Sequence, residues 1–173
     1  MIKKNHHGKP FLGPIFFLTL SLSLSLALTL NPDAQGADRK PAKPSPKDKC
    51  PVCGMFVAKH PDWIAQILFK DGSYAFFDGA KDMFKYYFDL KKYDPAKKPG
   101  DMKSIFVTEY YSLNPIDGLQ AYYVAGSNVY GPMGKELIPF AKEEEAKEFM
   151  KDHQGRAVLR FKEVTPDLIR SLN

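Results

Sequence analysis

The chain has 173 residues, of which 44% are hydrophobic and 26% are charged, and its formal net charge is +5. With only two cysteines, it is neither a disulfide-rich scaffold nor a zinc ribbon, which needs two spaced pairs of ligands. The first 36 residues hold three of the lysines and one of the acidic residues, so the remainder carries only +3. Since no basic helix or aromatic RNA-binding motif follows, nucleic-acid binding is excluded.

The first 36 residues are predicted to direct the protein out of the cytoplasm. Met1–Lys9 is short and basic, Phe11–Leu30 is apolar, and the small residues of Ala34–Ala37 follow. This order is typical of an export signal, with cleavage expected near Gly36. The apolar run is also about as long as a membrane span needs to be, so an uncleaved membrane anchor is the alternative. No cysteine lies at this boundary, which excludes lipid attachment there.

Two further segments are predicted after residue 36. Residues 37–49 are rich in proline and lysine, a composition that favours an extended, solvated tether. Residues 50–173 are long enough for one ordinary domain with one hydrophobic core, and we expect no second domain.

The first half of this domain shows the order strand, strand, helix, strand. Two runs of aromatic and β-branched residues flank the step Asp71-Gly72, which is a strong hairpin signal. Asp78 is expected to cap the helix that follows, and Met83 lies on its apolar face as a core residue. The predicted elements are Trp63–Phe69, Ser73–Phe77, Gly79–Phe88 and Ser104–Tyr111.

The same order recurs in the second half of the domain, where a loop over Gly126–Glu136 is expected between the two strands. Thr165-Pro166 is expected to start a short closing helix. The predicted elements are Ala121–Ala125, Leu137–Phe140, Lys142–His153 and Ala157–Phe161. Together, the two halves predict a duplicated ββαβ unit that forms one α+β domain.

The stretch Cys50-Pro51-Val52-Cys53-Gly54-Met55 contains both cysteines and a thioether within six residues. Thiolate and thioether ligands together favour Cu(I), whereas Zn²⁺ is normally held by thiolate and imidazole. Two alternatives stay open at this point, a small disulfide loop and a thiol–disulfide exchange centre. The leading hypothesis is a copper site.

Met133 lies between Gly131-Pro132 and Gly134, in a predicted turn rather than at a core spacing. Its thioether could complete the site that Cys53 and Met55 begin, or it could plug the sheet. His60, five residues beyond Met55, is either an extra ligand or, as we expect, a surface-turn residue before Pro61, and His153 is expected at a helix end. We find no convergent acid–base set, serine triad or phosphate-binding glycine loop, so the chain is not expected to be an enzyme.

Four motifs follow one another in the domain. They are Cys50-Pro51-Val52-Cys53-Gly54-Met55, Phe76-Phe77-Asp78-Gly79-Ala80-Lys81-Asp82-Met83-Phe84, Val107-Thr108-Glu109-Tyr110-Tyr111 and Gly131-Pro132-Met133-Gly134-Lys135-Glu136-Leu137-Ile138-Pro139-Phe140. In this order and spacing they resemble the NosL family of copper-binding accessory proteins for nitrous oxide reductase. The resemblance runs from about Cys50 to Phe161.

This resemblance implies a periplasmic Cu(I) chaperone with a NosL/MerB-like fold of two ββαβ units. It implies delivery of copper to nitrous oxide reductase or a related enzyme, with a membrane transporter and periplasmic maturation proteins as partners. The family's ligand motifs map onto Cys53, Met55 and Met133, whereas Cys50 occupies a less uniform position. Many relatives carry a lipid-modified cysteine at the signal cleavage site, and this chain does not.

Two hypotheses from other classes stand beside the copper carrier. A thiol oxidoreductase would use Cys50 and Cys53 as an exchange pair. A structural partner-binding module would bind no metal, and replacement of its cysteines would affect stability alone.

Overall fold

The computed structural model describes residues 40–173. The predicted export signal or anchor of residues 1–36, and the start of the predicted tether, lie outside the described residues. Within residues 40–173, no helix is both long enough and apolar enough to cross a membrane.

Two antiparallel sheets and four α-helices form from the described residues. In chain order the elements are β1 (Ala65–Phe69), β2 (Tyr74–Phe77), α1 (Ala80–Phe88), α2 (Leu90–Tyr93), β3 (Met102–Thr108), β4 (Pro115–Asp117), β5 (Tyr122–Gly131), β6 (Gly134–Phe140), α3 (Glu143–Asp152), β7 (Ala157–Arg160) and α4 (Pro166–Ser171). The closing helix α4 is capped as predicted, because the Thr165 side chain accepts from the Leu168 backbone N–H.

The two sheets have matching topologies. One has the strand order β2-β1-β3-β4 and the other β6-β5-β7, and every neighbouring pair is antiparallel. In both, the first strand of the unit is central, the second follows it through a hairpin, and the third returns after a helix. The duplicated ββαβ prediction is confirmed, with β4 added at the edge of the first sheet.

Aromatic side chains build the hydrophobic core around α1 and α3. Phe84 of α1 lies 4.8 Å from Phe161 and 5.2 Å from Tyr123, measured between ring centroids. Phe149 of α3 lies 5.0 Å from Phe140. Met83 is fully buried beside Phe84, which confirms that it is a core residue. The core therefore joins residues of the two units rather than ending at their boundary.

The expected loop at Gly126–Glu136 is mostly strand. β5 continues to Gly131 and β6 begins at Gly134, which leaves only Pro132 and Met133 in the turn. The pairing register shifts between Ala125 and Tyr130, a β-bulge in which Gly126 adopts a φ of +75°. The prediction was wrong because the glycine of a bulge has the same local signal as the glycine of a loop.

Most side chains of residues 40–49 are exposed, but the segment contacts the domain at two positions. The Ala42 N–H donates to Gln66 Oε1 at 2.8 Å, and Gln66 Nε2 donates back to the Ala42 carbonyl at 3.2 Å. Pro44 is buried. Gln66 of β1 thus attaches the described part of the predicted tether to the domain through hydrogen bonds that composition does not reveal.

Candidate metal centre

A short closed loop carries both cysteines. Lys49 and Phe56 form an isolated antiparallel bridge at its base, and the Cys50 N–H donates to the Met55 carbonyl at 2.9 Å. The Gly54 N–H donates to the Cys50 carbonyl at 2.9 Å, with Gly54 at a φ of +80°, a conformation that favours glycine. The loop thereby turns both thiols toward the start of α1.

Two buried carboxylates face these thiols. Cys53 Sγ donates to Asp78 Oδ1 at 3.1 Å, and Cys50 Sγ donates to Asp82 Oδ2 at 3.6 Å. One ligand atom from each of the four residues lies within 4.8 Å of the others. Asp78 and Asp82 are 1% and 2% exposed, and Asp78 Oδ2 has no hydrogen-bond partner among the described residues. Such a buried polar cluster is chemically suited to a metal ion.

Asp78 does not cap the helix as the sequence predicted. The N-terminal cap of α1 is Gly79, which has no side-chain capping bond. Instead, Glu136 of β6 reaches this end of the helix, and its Oε1 accepts from the backbone N–H groups of Lys81 and Leu137. Glu136 fills the space that Gly79 leaves by lacking a Cβ. Asp78 is therefore available to the thiol.

Both thiols are held in their protonated form. Burial raises the pKa of Cys53 to about 11, and the hydrogen bond to Asp78 adds to this effect. Burial also raises the pKa of Cys50 well above its usual range. A metal that bonds to either sulfur must displace its proton. These raised values argue against an exchange centre, which depends on a lowered thiol pKa, and the two cysteines are not joined by a disulfide.

An open groove of about 690 Å³ begins at Cys53, and Met133 also lines it. Met133 is 42% exposed in its two-residue turn, as the sequence predicted for a loop methionine. The structure thus brings Cys53, Cys50 and Met133 to one region. Met55 is half-buried in the same loop but is not among the residues that line the groove.

Among residues 40–173 the histidines are His60 and His153, and neither belongs to the candidate centre. His60 ends a short 3₁₀ turn, and His153 ends α3, where its ring stacks on Phe149 at 4.3 Å. Neither lines the groove that contains Cys53 and Met133. Their positions agree with the surface-turn and helix-end predictions.

Comparison with known proteins decides the family. The amino-acid sequence matches the NosL family over residues 41–169. The chain belongs to the NosL family. The copper-binding lipoprotein NosL of Stutzerimonas stutzeri is 33% identical over 125 residues, which are 71% of this chain and 65% of that protein. The copper chaperone NosL of Shewanella denitrificans has a similar fold, with a TM-score of 0.63 and 23% identity over 76% of this chain and 99% of that one.

This NosL-family chain contains polar residues at the centre that sequence reasoning passed over. The sequence predicted a helix cap for Asp78, and it gave Lys81, Asp82 and Glu136 no role beyond their places in the family motifs. Asp78 stands just before α1 and Asp82 lies in its first turn, so a spacing of four residues brings two carboxylates to the same end of the helix. That spacing, together with the apolar pattern around it, was the signal available in the sequence.

Proposed function

We propose that this NosL-family protein binds Cu(I) outside the cytoplasm and delivers it to a copper enzyme, nitrous oxide reductase or a related one. The proposed ligands are Cys53 as the anionic sulfur, Met133 as a thioether, and Cys50 and Met55 from the cysteine loop. The observation that carries the proposal is the pair of thiols on buried carboxylates at the end of a groove that Met133 also lines.

The donor set supports a soft ion. Thiolate and thioether sulfur favour Cu(I), and thioethers keep their ligand character at any pH because they carry no proton. Cu(I) would replace the proton on Cys53 Sγ, and Asp78 Oδ1, which already accepts the hydrogen bond from this thiol, would receive it. At Cys53, loading would therefore break one S–H bond and form one S–Cu bond and one O–H bond on Asp78.

The open groove supports transfer rather than storage. Cys53 is half-buried and Met133 is exposed, so a ligand from a partner could reach the ion before the carrier's sulfurs leave it. Copper would then pass from protein to protein without release into solvent. The recipient enzyme, the membrane transporter and the periplasmic maturation proteins belong to this proposal through the family assignment.

An anaerobic Cu(I) titration against a chromophoric chelator tests the binding. With reduced thiols, we expect one tightly bound ion in the wild type, loss of tight binding in Cys53→Ser, and about tenfold weaker binding in Met133→Ala. Met150→Ala is the matched control, because Met150 packs in the second hydrophobic cluster, against α3 and its sheet. A wild type that fails to compete for Cu(I) while both thiols titrate as reduced would overturn the proposal.

Two further experiments test which metal the site prefers and which enzyme receives the copper. Because two thiols and two carboxylates also suit Zn²⁺, a parallel titration with zinc measures how strongly it competes for the same residues. Incubation of the loaded protein with copper-free nitrous oxide reductase then tests delivery. We expect copper to appear in the enzyme, and an empty enzyme after incubation would remove it as the recipient.

A further inference from the structure

Lys81 is a buried lysine next to the candidate centre. Its side chain is 2% exposed, although lysine is almost never fully buried without compensation. Burial lowers its pKa. A residue with this desolvation cost is expected to make contacts that an apolar side chain could not replace.

The contacts of Lys81 join three segments of the chain. Its Nζ donates to the Met133 carbonyl at 2.8 Å and to the Leu172 carbonyl at 3.3 Å. Its backbone N–H donates to Glu136 Oε1. Helix α1, the β5–β6 turn and the end of α4 are thus tied at one ammonium group, and residues of all three regions line the groove.

Met133 needs such a restraint more than the cysteines do. The cysteine loop is closed by its own backbone hydrogen bonds, whereas Met133 sits at the tip of a two-residue turn with its side chain exposed. The last strand pair before the tip is Gly131 with Gly134, two residues that offer no side-chain packing. The Lys81 bond is a charge-assisted tether from this tip to the helix that carries Asp82.

We propose that Lys81 is a positioning residue for copper binding, whose ammonium group fixes the Met133 turn against the thiol pair. This inference rests on the proposed copper function. Helix α1 would then have two roles. It carries Asp82, and through Lys81 it also fixes the position of the Met133 turn. A ligand held within a fraction of an ångström of its bonded position loses less freedom when the metal arrives.

A double-mutant cycle between Lys81 and Met133 tests this role. Lys81→Met is made together with Glu136→Gln, so that loss of the ammonium group cannot also change the protonation of a buried carboxyl group, while the Gln oxygen can still accept the two backbone N–H groups. We expect this variant to bind Cu(I) about tenfold more weakly than wild type. Adding Met133→Ala should then cost much less than it does in the wild-type background, because the thioether is already misplaced.

The controls separate positioning from folding. Lys151→Met removes an exposed lysine from α3 and should leave Cu(I) affinity unchanged. Glu136→Gln alone should also retain most of the affinity, since Lys81 still holds the turn. NMR of ¹³C-methyl methionine in the metal-free protein gives an independent readout, and we expect the Met133 methyl signal to show greater motion when Lys81 is replaced.

The outcomes are distinct. Non-additive losses with a loosened Met133 methyl support the inference. Additive losses, or full affinity in the Lys81 variant despite lower thermal stability, would reduce Lys81 to a structural residue and overturn it while the copper function stands. Absence of Cu(I) binding by the wild type would overturn the proposed function itself, and with it this role.

Discussion

The two ββαβ units share a topology but differ in what their helices bury. Helix α1 and the residue pair before it bury three charged side chains, those of Asp78, Lys81 and Asp82. Helix α3 buries only Ala146 and Phe149, and none of the three glutamates in its first turn is buried. The helix of the first unit carries charged groups into the interior, whereas the helix of the second unit is an ordinary amphipathic helix on a sheet.

The difference teaches how a duplicated fold divides a site between its copies. The first unit supplies the carboxylates that face the cysteines, and the second supplies a hairpin whose tip carries Met133. Glu136 and Lys81 connect the two, since each contacts backbone groups of the other unit. The candidate centre therefore lies where the second hairpin meets the first helix, and neither unit contains it alone.

The largest predicted effects come from emptying the core under each helix. Phe84→Ala and Phe149→Ala should each lower the free energy of unfolding by about 3–5 kcal/mol, because both rings are fully buried. At a temperature where both variants remain folded, only Phe84→Ala should also weaken Cu(I) binding, since α1 carries the polar groups. Urea unfolding and the copper titration measure the two effects. Equal copper losses in both variants would remove the distinction between the units.

A smaller effect is expected where the units touch. In Gly79→Ala the new Cβ would overlap the Glu136 carboxylate, so we expect a loss of about 1–3 kcal/mol from forced repacking. Gly100→Ala is the control, since nothing lies within 4 Å of its Cβ position and its backbone is not left-handed. Thermal unfolding of both variants makes the comparison, and matching stabilities would mean that the helix end can move away from Glu136 at no cost.

The pH dependence of stability should also depend on Glu136. Burial raises the pKa of Glu136 to about 8, whereas its ordinary value is 4.5. Between these values the folded protein keeps a proton that the unfolded chain has lost. The free energy of unfolding should therefore fall as pH rises through this window, by at most about 1.4 kcal/mol per pH unit. Glu136→Gln should remove this part of the slope in urea unfolding at several pH values, and parallel curves would contradict it.

The smallest effects are expected at surface ion pairs. Lys147 Nζ lies 2.6 Å from Glu143 Oε1 on α3, with both side chains well exposed, so Lys147→Ala should cost less than about 0.5 kcal/mol. Lys85 Nζ lies 3.1 Å from Asp82 Oδ1, and that carboxylate is buried. Lys85→Ala should therefore lower the free energy of unfolding by more than Lys147→Ala does, because it leaves the buried Asp82 carboxylate without this ion pair. Equal costs would mean that Asp82 finds another partner.

Local patterns in the sequence predicted most of the fold. Alternating and helical spacings of apolar residues predicted both units, and the Pro-Met step between glycines predicted an exposed turn methionine. The β5 bulge was missed because Gly126 reads equally well as loop. The contact of Gln66 with Ala42 was missed because a glutamine on a strand gives no sign of its partner.

The sequence predicted a site with sulfur ligands, but it did not predict the carboxylates of Asp78 and Asp82 beside the two thiols. Soft ligands gathered in one short stretch are visible without a structure. Asp78, by contrast, stands where residues that cap helices are common. It contacts Cys53 instead, because Glu136 accepts the hydrogen bond from the Lys81 N–H at the helix start, although Glu136 lies 55 residues further along the chain. Contacts between residues so far apart in the sequence depend on how the two units pack together. The spacing of apolar residues within one unit carries no information about that packing.

The unequal exposure of Cys50 and Cys53 implies an order in which copper would contact the two thiols on the proposed function. Cys50 is 2% exposed, whereas Cys53 is half-buried and opens onto the groove. An ion that arrives from solvent therefore meets Cys53 before Cys50. By microscopic reversibility, an ion that leaves by the same route breaks its bond to Cys53 last. On the proposed copper function, substitutions around Cys53 are therefore expected to change the rates of copper uptake and release.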